Sequence, residues 1–497
     1  MQEASPKQDN QEIKDLQEII ESQAQEINCL KETIYLLRHR QFGRRSEKST
    51  EEQLQLFDDL EVPPETEPED SCLDEINVPA HRRKKNRALP KDLPKETVHY
   101  DLDDNEKICA CGCNLQKIGE DIYQQLEYIP ASVKVKEHIK SKYACPKCDD
   151  SVKTAVMPKQ PIPKSIATPG LLAHVIISKY VDHLPLYRQE QMFQRLNIGI
   201  KRKTLCNWIL KCADLLKPMA MLLKSYILQQ PYIRADETIV NVLSNEQKNS
   251  SYMWVMMGGV LGSEAVFYKH YSGRTKNHAN DFLAGYVGYL QTDGYHGYND
   301  FREQKEVVNL GCWAHARRKF HDVVKASKNK GAAYTAMSFI TKLYRVEKDI
   351  KTRDLNILQI SQYREQNAQP ILNDFKIWLD KTTSRVPPKS ALGKSIQYTL
   401  NQWPYLIVYI KDGNLDIDNN AIERMIKPFA VGRKNWLFCG NDIGAEASAI
   451  LYSLVQSCKV NQIDPYQYFR TILTELPNRT NDQSLDQWLP WKINKPL

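Results

Sequence analysis

The sequence predicts a multidomain α+β protein, and three features of its patterning carry that prediction. A seven-residue repeat of isoleucine runs near the start of the chain. Five of the twelve cysteines fall within residues 109–148. After Pro231 the apolar period changes from helical to strand-like. Three consecutive strand patterns followed by helix–strand alternation point to a mixed sheet. The chain has 497 residues, 41% of them hydrophobic, which is material for several cores. Its net charge of +7, from 68 Lys and Arg against 61 Asp and Glu, permits nucleic acid as a partner without requiring it. No uninterrupted apolar run is long enough to span a bilayer, and the opening MQEASPKQDNQEIKDLQ lacks the apolar core of a secretory signal. A cytoplasmic protein without membrane contact is therefore expected, and clustered cysteines in that compartment read as a metal site.

Residues 1–48 are expected to form a coiled coil. Ile13, Ile20, Ile27 and Ile34 are seven apart, with Leu16, Leu30 and Leu37 in the second apolar position and Gln23 in its one polar slot. Ile at the first position with Leu at the second favours a parallel two-stranded assembly, whereas a helix packed on its own chain is the alternative. Residues 49–100 read as a linker. The acidic, proline-containing FDDLEVPPETEPEDSCLDE (57–75) buries too little to offset its ordering entropy. The cationic HRRKKNRALPK (81–91) follows, either as solvated linker or as an arm that contacts phosphates.

Residues 101–160 predict a zinc-binding ribbon. Cys145 and Cys148 form a two-ligand knuckle, and Cys109, Cys111 and Cys113 offer three thiols for the two remaining places. Four thiolates in a closed tetrahedral shell make a structural zinc site, one Zn²⁺ for a ribbon too poor in apolar residues to fold unaided. Cys109 and Cys111 are the expected pair, with Cys113 the alternative to either; spacing leaves that choice open.

Residues 161–228 predict a helix-turn-helix DNA-binding region. Thr168-Pro169 is a cap followed by proline at the first helical position. PLYRQEQMFQRL (185–196), the turn NIGI and KRKTLCNWILKCADLL (201–216) follow. Lys201, Arg202, Lys203, Thr204 and Asn207 are the groove-facing candidates. In residues 229–440 strands are expected over 232–243, 251–260 and 264–272, then a helix over 277–286. A strand ending in Asp293 follows, then a strand over 306–313. A largely helical insertion covers about 328–410, with a break at 385–390. Residues 441–497 are assigned to a C-terminal helical region.

Three carboxylates stand out in this third part of the chain. Asp236 interrupts an apolar strand, beside Glu237 on the opposite face. Asp293 closes the fourth strand in QTDG, where Asp-Gly also simply makes a turn. Glu423 belongs to the first turns of a helix that Asp418 or Asn419 would cap. If the first and fourth strands are neighbours and the helix lies at the sheet edge, the three converge. Oxygen ligands of this kind suit two Mg²⁺ or Mn²⁺ ions acting at phosphorus. His296 reads as a turn histidine, and Cys312 with His315 as packing beside a surface helix rather than as metal ligands.

The segments ADET (235–238), QTDGYHGYN (291–299), GCWAHARRKF (311–320) and DNNAIERMIKPFAVGRKNWLF (418–438) resemble bacterial insertion-sequence transposases of the IS-sixty-six type. So do CGCNLQKIGEDIYQQLEYIPASVKVKEH, CPKC and LPLYRQEQMFQRLNIGIKRKTLCNW, in the family's order and over nearly the whole chain. The chain departs from the family pattern at CACGC, which stands for the usual Cys-x-x-Cys-Gly, and at Lys427, where arginine is frequent. The resemblance implies a DDE transposase with a ribonuclease-H-like catalytic core, in which Asp236, Asp293 and Glu423 are the catalytic and magnesium-binding residues. It also draws Arg433, Lys434, Asn435 and Trp436 into the active region, as phosphate donors and a ring for an unpaired base. The implied partners are double-stranded DNA, as element ends and as target, a second copy or more of the chain, and companion proteins of the same element. The implied activity is metal-dependent cleavage at the terminal inverted repeats and strand transfer. A DNA-binding regulator with a silent core, and a nuclease that cuts without joining, are the rival readings.

Overall fold

The computed structural model describes residues 133–144, 152–243, 251–326, 331–480 and 482–493, together with residues 23, 34 and 97 singly. The expected coiled coil (apart from Gln23 and Ile34), the linker (apart from residue 97) and all five clustered cysteines lie outside those residues. The chain divides into two compact units, one of residues 57–156 and one that includes residues 157–497. In the smaller unit, β1 (Lys142–Ala144) and β2 (Val152–Thr154) pair antiparallel, with Ala144 opposite Val152. The segment that connects them in sequence carries Cys145 and Cys148.

The larger unit begins with three helices: α1 (Pro169–Tyr180), α2 (Leu186–Arg195) and α3 (Arg202–Leu228). Thr168 caps α1 by accepting the Leu171 N–H, and Pro169 needs no such partner. Buried Gln189 ties α2 to α1 by donating to the carbonyls of Val175 and Leu184. Glu190 accepts the Arg202 N–H at 3.1 Å and so satisfies an orphan donor at the start of α3. The third helix was expected to stop at residue 216, before Pro218. It continues for three more turns because Met219, Ala220, Leu223 and Ile227 keep the helical period and are fully buried, and that burial offsets the proline.

Five strands form one sheet: β3 (Tyr232–Val240), β4 (Ser251–Gly258), β5 (Ala265–Tyr271), β6 (Gly288–Gln291) and β7 (Val307–Leu310). Their spatial order is β5-β4-β3-β6-β7, so the first strand of the sheet is also its central one. β3 runs antiparallel to β4 and parallel to β6, and β6 runs parallel to β7. Helix α4 (Lys276–Phe282) and the one-turn α5 (Asn299–Arg302) flank β6. Gly288 opens β6 at φ +132°, and a Cβ there would stand 2.6 Å from the Pro231 carbonyl oxygen. Several expected elements are shorter than the pattern suggested. β6 stops at Gln291 and leaves Asp293 in the following loop. The strand expected over 306–313 ends at Leu310, because Trp313 already belongs to the next helix. The helix expected over 277–286 ends at Phe282.

Helix α6 (Trp313–Ala326) follows the sheet, and α7 (Ala332–Thr352), α8 (Ile357–Thr383) and α9 (Ala391–Leu406) fall in the stretch, about 328–410, expected to be largely helical. They pack around Trp313, Phe320, Ile340, Leu343, Leu372 and Phe375 in a second core. Helices α10 (Asn420–Trp436), α11 (Asp442–Val460) and α12 (Pro465–Glu475) return to the sheet. The first core joins α1–α3, the sheet and α10–α12, so Leu172, Leu205 and Leu216 share it with Ile233 and Trp254. No helix among the described residues is long and apolar enough to cross a membrane.

The edge strand β5 is closed by side chains rather than by another strand. The N–H groups of Tyr268, Val266 and Glu264 donate to Ser453, Ser457 and Asn461 of α11 at 2.8, 2.9 and 3.0 Å. Four residues of helix rise about 6 Å and two residues of strand about 6.8 Å, so the two repeats stay in step over this length. Ser457→Ala strands the buried Val266 N–H and is expected to lower unfolding stability by about 1–3 kcal/mol, read from denaturant melts.

Candidate active site

Asp236 lies in the middle of the central strand, half-buried, and its Oδ1 accepts the Glu237 N–H at 2.8 Å. The parallel register pairs Arg234 with Gln291. Continued by two residues, it brings Asp293 alongside Asp236, which explains why a residue beyond the end of β6 still faces the central strand. Asp293 makes the turn that Asp-Gly suggested, its Oδ1 accepting the Tyr295 N–H at 2.8 Å. Gly294 follows at φ +84°, and a Cβ there would meet Gln402 at 2.9 Å. The turn and the shared site are therefore compatible uses of one side chain.

Glu423 is on the first turn of α10. That helix is docked on the central strand by buried Asn419, whose Nδ2 donates to the Ala235 carbonyl at 3.2 Å and whose N–H meets Cys312 Sγ at 3.2 Å. Asn419 holds the cap position without a side-chain cap bond, and Asp418 supplies the acceptor instead, taking the Asn420 N–H at 3.1 Å. The second oxygen of Asp418 accepts the Tyr344 hydroxyl at 2.7 Å, which ties the insertion to the start of α10.

Asp236 feels the other carboxylates. The Asp236 carboxyl is held well above the usual range, first by burial, then by the charges of Glu237 and Asp293, with Glu423 adding to them. Glu237 is raised chiefly by burial, against which Tyr298 and Arg274 stabilise its charge. Its side chain is fully buried and answered on both oxygens, by Arg274 and by the Tyr298 hydroxyl at 2.6 Å. Glu423 Oε1 is buried without a hydrogen-bond partner and lies 3.8 Å from His315 Nε2, while Oε2 lies 3.5 Å from Arg318. Burial lowers the His315 imidazole below its ordinary value, and the Glu423 charge only partly opposes this.

Oxygen donors of like charge, one of them an unpartnered buried carboxylate oxygen, make a set that a hard divalent cation satisfies. Among the described residues no three acidic, histidine or cysteine side chains already stand in one coordination shell. Arg274 lies against Glu237 and Asp293, and Glu423 is turned toward His315 and Arg318. Reasoning from the sequence placed Glu237 on the opposite strand face and set His315 aside, and it missed Arg274 and Tyr298. The signal for Glu237 was its place beside Asp236 in an otherwise apolar strand. Arg274, some 37 residues away in a loop, carried none.

The DNA-contact candidates fall into two groups. Lys201, Arg202, Lys203 and Asn207 are exposed at the start of α3, with Thr204 partly so, and together they form one polar face. Lys201 pairs with Glu190 at 3.8 Å. At the end of α10, Arg433 donates to the Ile239 carbonyl and to Thr238 Oγ1, and so fastens the helix to β3. Asn435 donates to the Val431 carbonyl at 3.2 Å. Trp436 packs edge-on against Phe429 with Lys179 over its ring, and Lys434 alone of the four is exposed.

Residues 164–447, more than half of the chain, match the family described as Transposase IS66 family. Residues 106–149 match a zinc-finger binding domain of transposase IS66, residues 453–491 an IS66 C-terminal element, and residues 29–98 a segment described as Transposase C of IS166 homeodomain. Among curated proteins its relatives include three from Sinorhizobium fredii (strain NBRC 101917 / NGR234), each described as uncharacterized. Protein y4jD is 33% identical over 81% of either chain. Protein y4hP is 27% identical over 94% of this chain and 89% of its own, and y4qI 28% identical over 97% and 92%.

Proposed function

The chain belongs to the IS66 transposase family, and from that premise we propose that it cuts DNA at the terminal inverted repeats of an insertion sequence and joins the freed 3′ ends to target DNA. The observation that supports this reading is that the charges of Asp293, just past a strand end, and of Glu423, at a helix start, both act on the buried carboxyl of Asp236 in the central strand. The sheet order, with the first strand central and only the second antiparallel on one side of it, supports a ribonuclease-H-like core interrupted by a helical insertion.

In this reading Asp236, Asp293 and Glu423 would hold the divalent ions. Bound magnesium or manganese, two ions in all, would supply Lewis acidity toward an attacking hydroxyl and a leaving oxygen. The protein's own groups orient and exclude. Asn419 fixes the start of α10 on the central strand, and Tyr398 donates its hydroxyl to the Asp293 carbonyl at 3.1 Å. His315 and Arg318 stand beside Glu423 at 3.8 and 3.5 Å and orient its carboxylate. Cys145 and Cys148, with two of Cys109, Cys111 and Cys113, would hold one structural Zn²⁺. A coiled coil over residues 1–48 would pair two copies on DNA.

The test uses labelled element ends with Mg²⁺ or Mn²⁺, scored separately for cutting and for joining. Cutting and joining together support transposition. Cutting alone leaves a nuclease, and binding without cutting leaves a regulator. The exposed face of α3 gives a separate expectation. Lys203→Ala should weaken binding to any DNA and reduce the slope of log affinity against log salt by about one. Filter or fluorescence binding at several salt concentrations reads it.

A further inference from the structure

Arg274 lies in the loop between β5 and α4, next to the acidic group but on none of the elements that carry it. Its Nε donates to Glu237 Oε1, and its Nη2 lies 3.6 Å from Asp293 Oδ2. The guanidinium sits 3.5 Å from the centre of the Tyr295 ring, whose hydroxyl donates back to the Arg274 carbonyl at 2.7 Å. The Tyr295 N–H in turn holds the other oxygen of Asp293 at 2.8 Å. Glu237 is anchored in its own right by Tyr298 at 2.6 Å. The five residues thus form a closed set that ends on Asp293.

We propose that Arg274 is a positioning residue for the cleavage reaction: anchored by buried Glu237, it holds the Asp293 carboxylate toward Asp236. This inference rests on the Asp236, Asp293 and Glu423 reading. A buried glutamate next to Asp236 adds repulsion to a group already rich in negative charge, and its presence is explained if its task is to fix a cation. That cation must reach two carboxylates in different directions. A planar guanidinium with several fixed donors does so, whereas a lysine ammonium on a flexible stem does not. Glu237 is wholly enclosed while Arg274 is about a third exposed, so the arginine presents its second nitrogen to the site from a fixed base.

The experiment compares the full-length parent with Arg274→Gln, Arg274→Lys, Glu237→Gln, the double variant Glu237→Gln/Arg274→Gln, and Asp293→Asn. Cleavage of labelled element ends is measured with Mn²⁺ across DNA concentrations, at a temperature where all variants are folded. Glu237→Gln removes a buried charge and keeps an acceptor for Tyr298, and the double variant strands neither partner, so folding does not decide the outcome. The expected result is a kcat lower by about ten- to a hundred-fold in Arg274→Gln and Glu237→Gln, with KM for DNA little changed. Lysine should not rescue, and the double variant should be no worse than Arg274→Gln alone, because both changes break one device. A raised KM with parental kcat would make Arg274 a DNA contact and overturn the proposal. So would parental rates, full rescue by lysine, or additive losses. Parental cutting by Asp293→Asn would remove the site reading itself, a result distinct from all of these.

Discussion

Asp293→Asn is expected to lower DNA-end cleavage by at least about a thousand-fold, some 4 kcal/mol of barrier, while leaving binding to the ends nearly intact. The substitution keeps the shape of the side chain and an oxygen for the Tyr295 N–H, so the turn before Gly294 survives. What it removes is one negative charge from a group in which Asp236 is already pushed up by its neighbours. The folded protein should therefore melt close to the parent, because relief of like-charge repulsion offsets the weakened ion pair with Arg274. Cleavage, binding and melting measured on one preparation separate a catalytic from a structural role. Loss of cleavage together with a lower melting temperature would point to structure, and unchanged cleavage would end the assignment.

Glu347→Ala is expected to produce the largest loss of stability, about 3–5 kcal/mol. Arg364 of α8 is only 4% exposed and meets Glu347 of α7 through two bonds, at 2.9 and 2.7 Å. Its remaining nitrogen donates to the carbonyls of Tyr409 and Asp412 at 2.9 and 3.0 Å, which holds the chain leaving α9. Alanine at 347 leaves that guanidinium buried without its counter-charge. Adding Arg364→Met in the same chain should recover part of the loss, since the stranded charge is gone although two carbonyls lose a donor. Denaturant melts of the two variants measure this, and a parental melting curve for Glu347→Ala would refute the buried pair. Cleavage should fall as well, because the insertion touches the site through Tyr398 on Asp293, Gln402 beside Gly294 and Tyr344 on Asp418.

The strands, the helices of residues 332–406 and the family were legible because each rests on local signals. The β-branched and aromatic runs at 232–240, 251–258 and 265–271 form strands within a few residues of where the pattern placed them. The break at 385–390 separates two helices as proline and serine there suggest. Errors gathered at element ends, where a local pattern competes with burial. Pro218 reads as a stop until the apolar residues beyond it are seen to have a core to enter. Trp313 reads as the end of a strand until its ring is seen packed among α6–α9, with its Nε1 donating to the Leu406 carbonyl.

By itself the sequence determined which residues are candidates for chemistry: the acidic side chains at 236, 293 and 423, the cysteines at 109–148, the basic residues at the start of α3. It also determined which stretches form strands and helices, because the spacing of apolar residues decides which local conformation can bury them. Only the tertiary structure decided which of these meet. The parallel pairing of β3 with β6 sets Asp293 beside Asp236, Asn419 brings Glu423 to the same strand, and Arg274 arrives from a loop with no motif of its own. Such meetings depend on contacts between residues tens to hundreds of positions apart. No local period encodes them, because the free energy that selects them comes from burial and pairing of the whole unit at once.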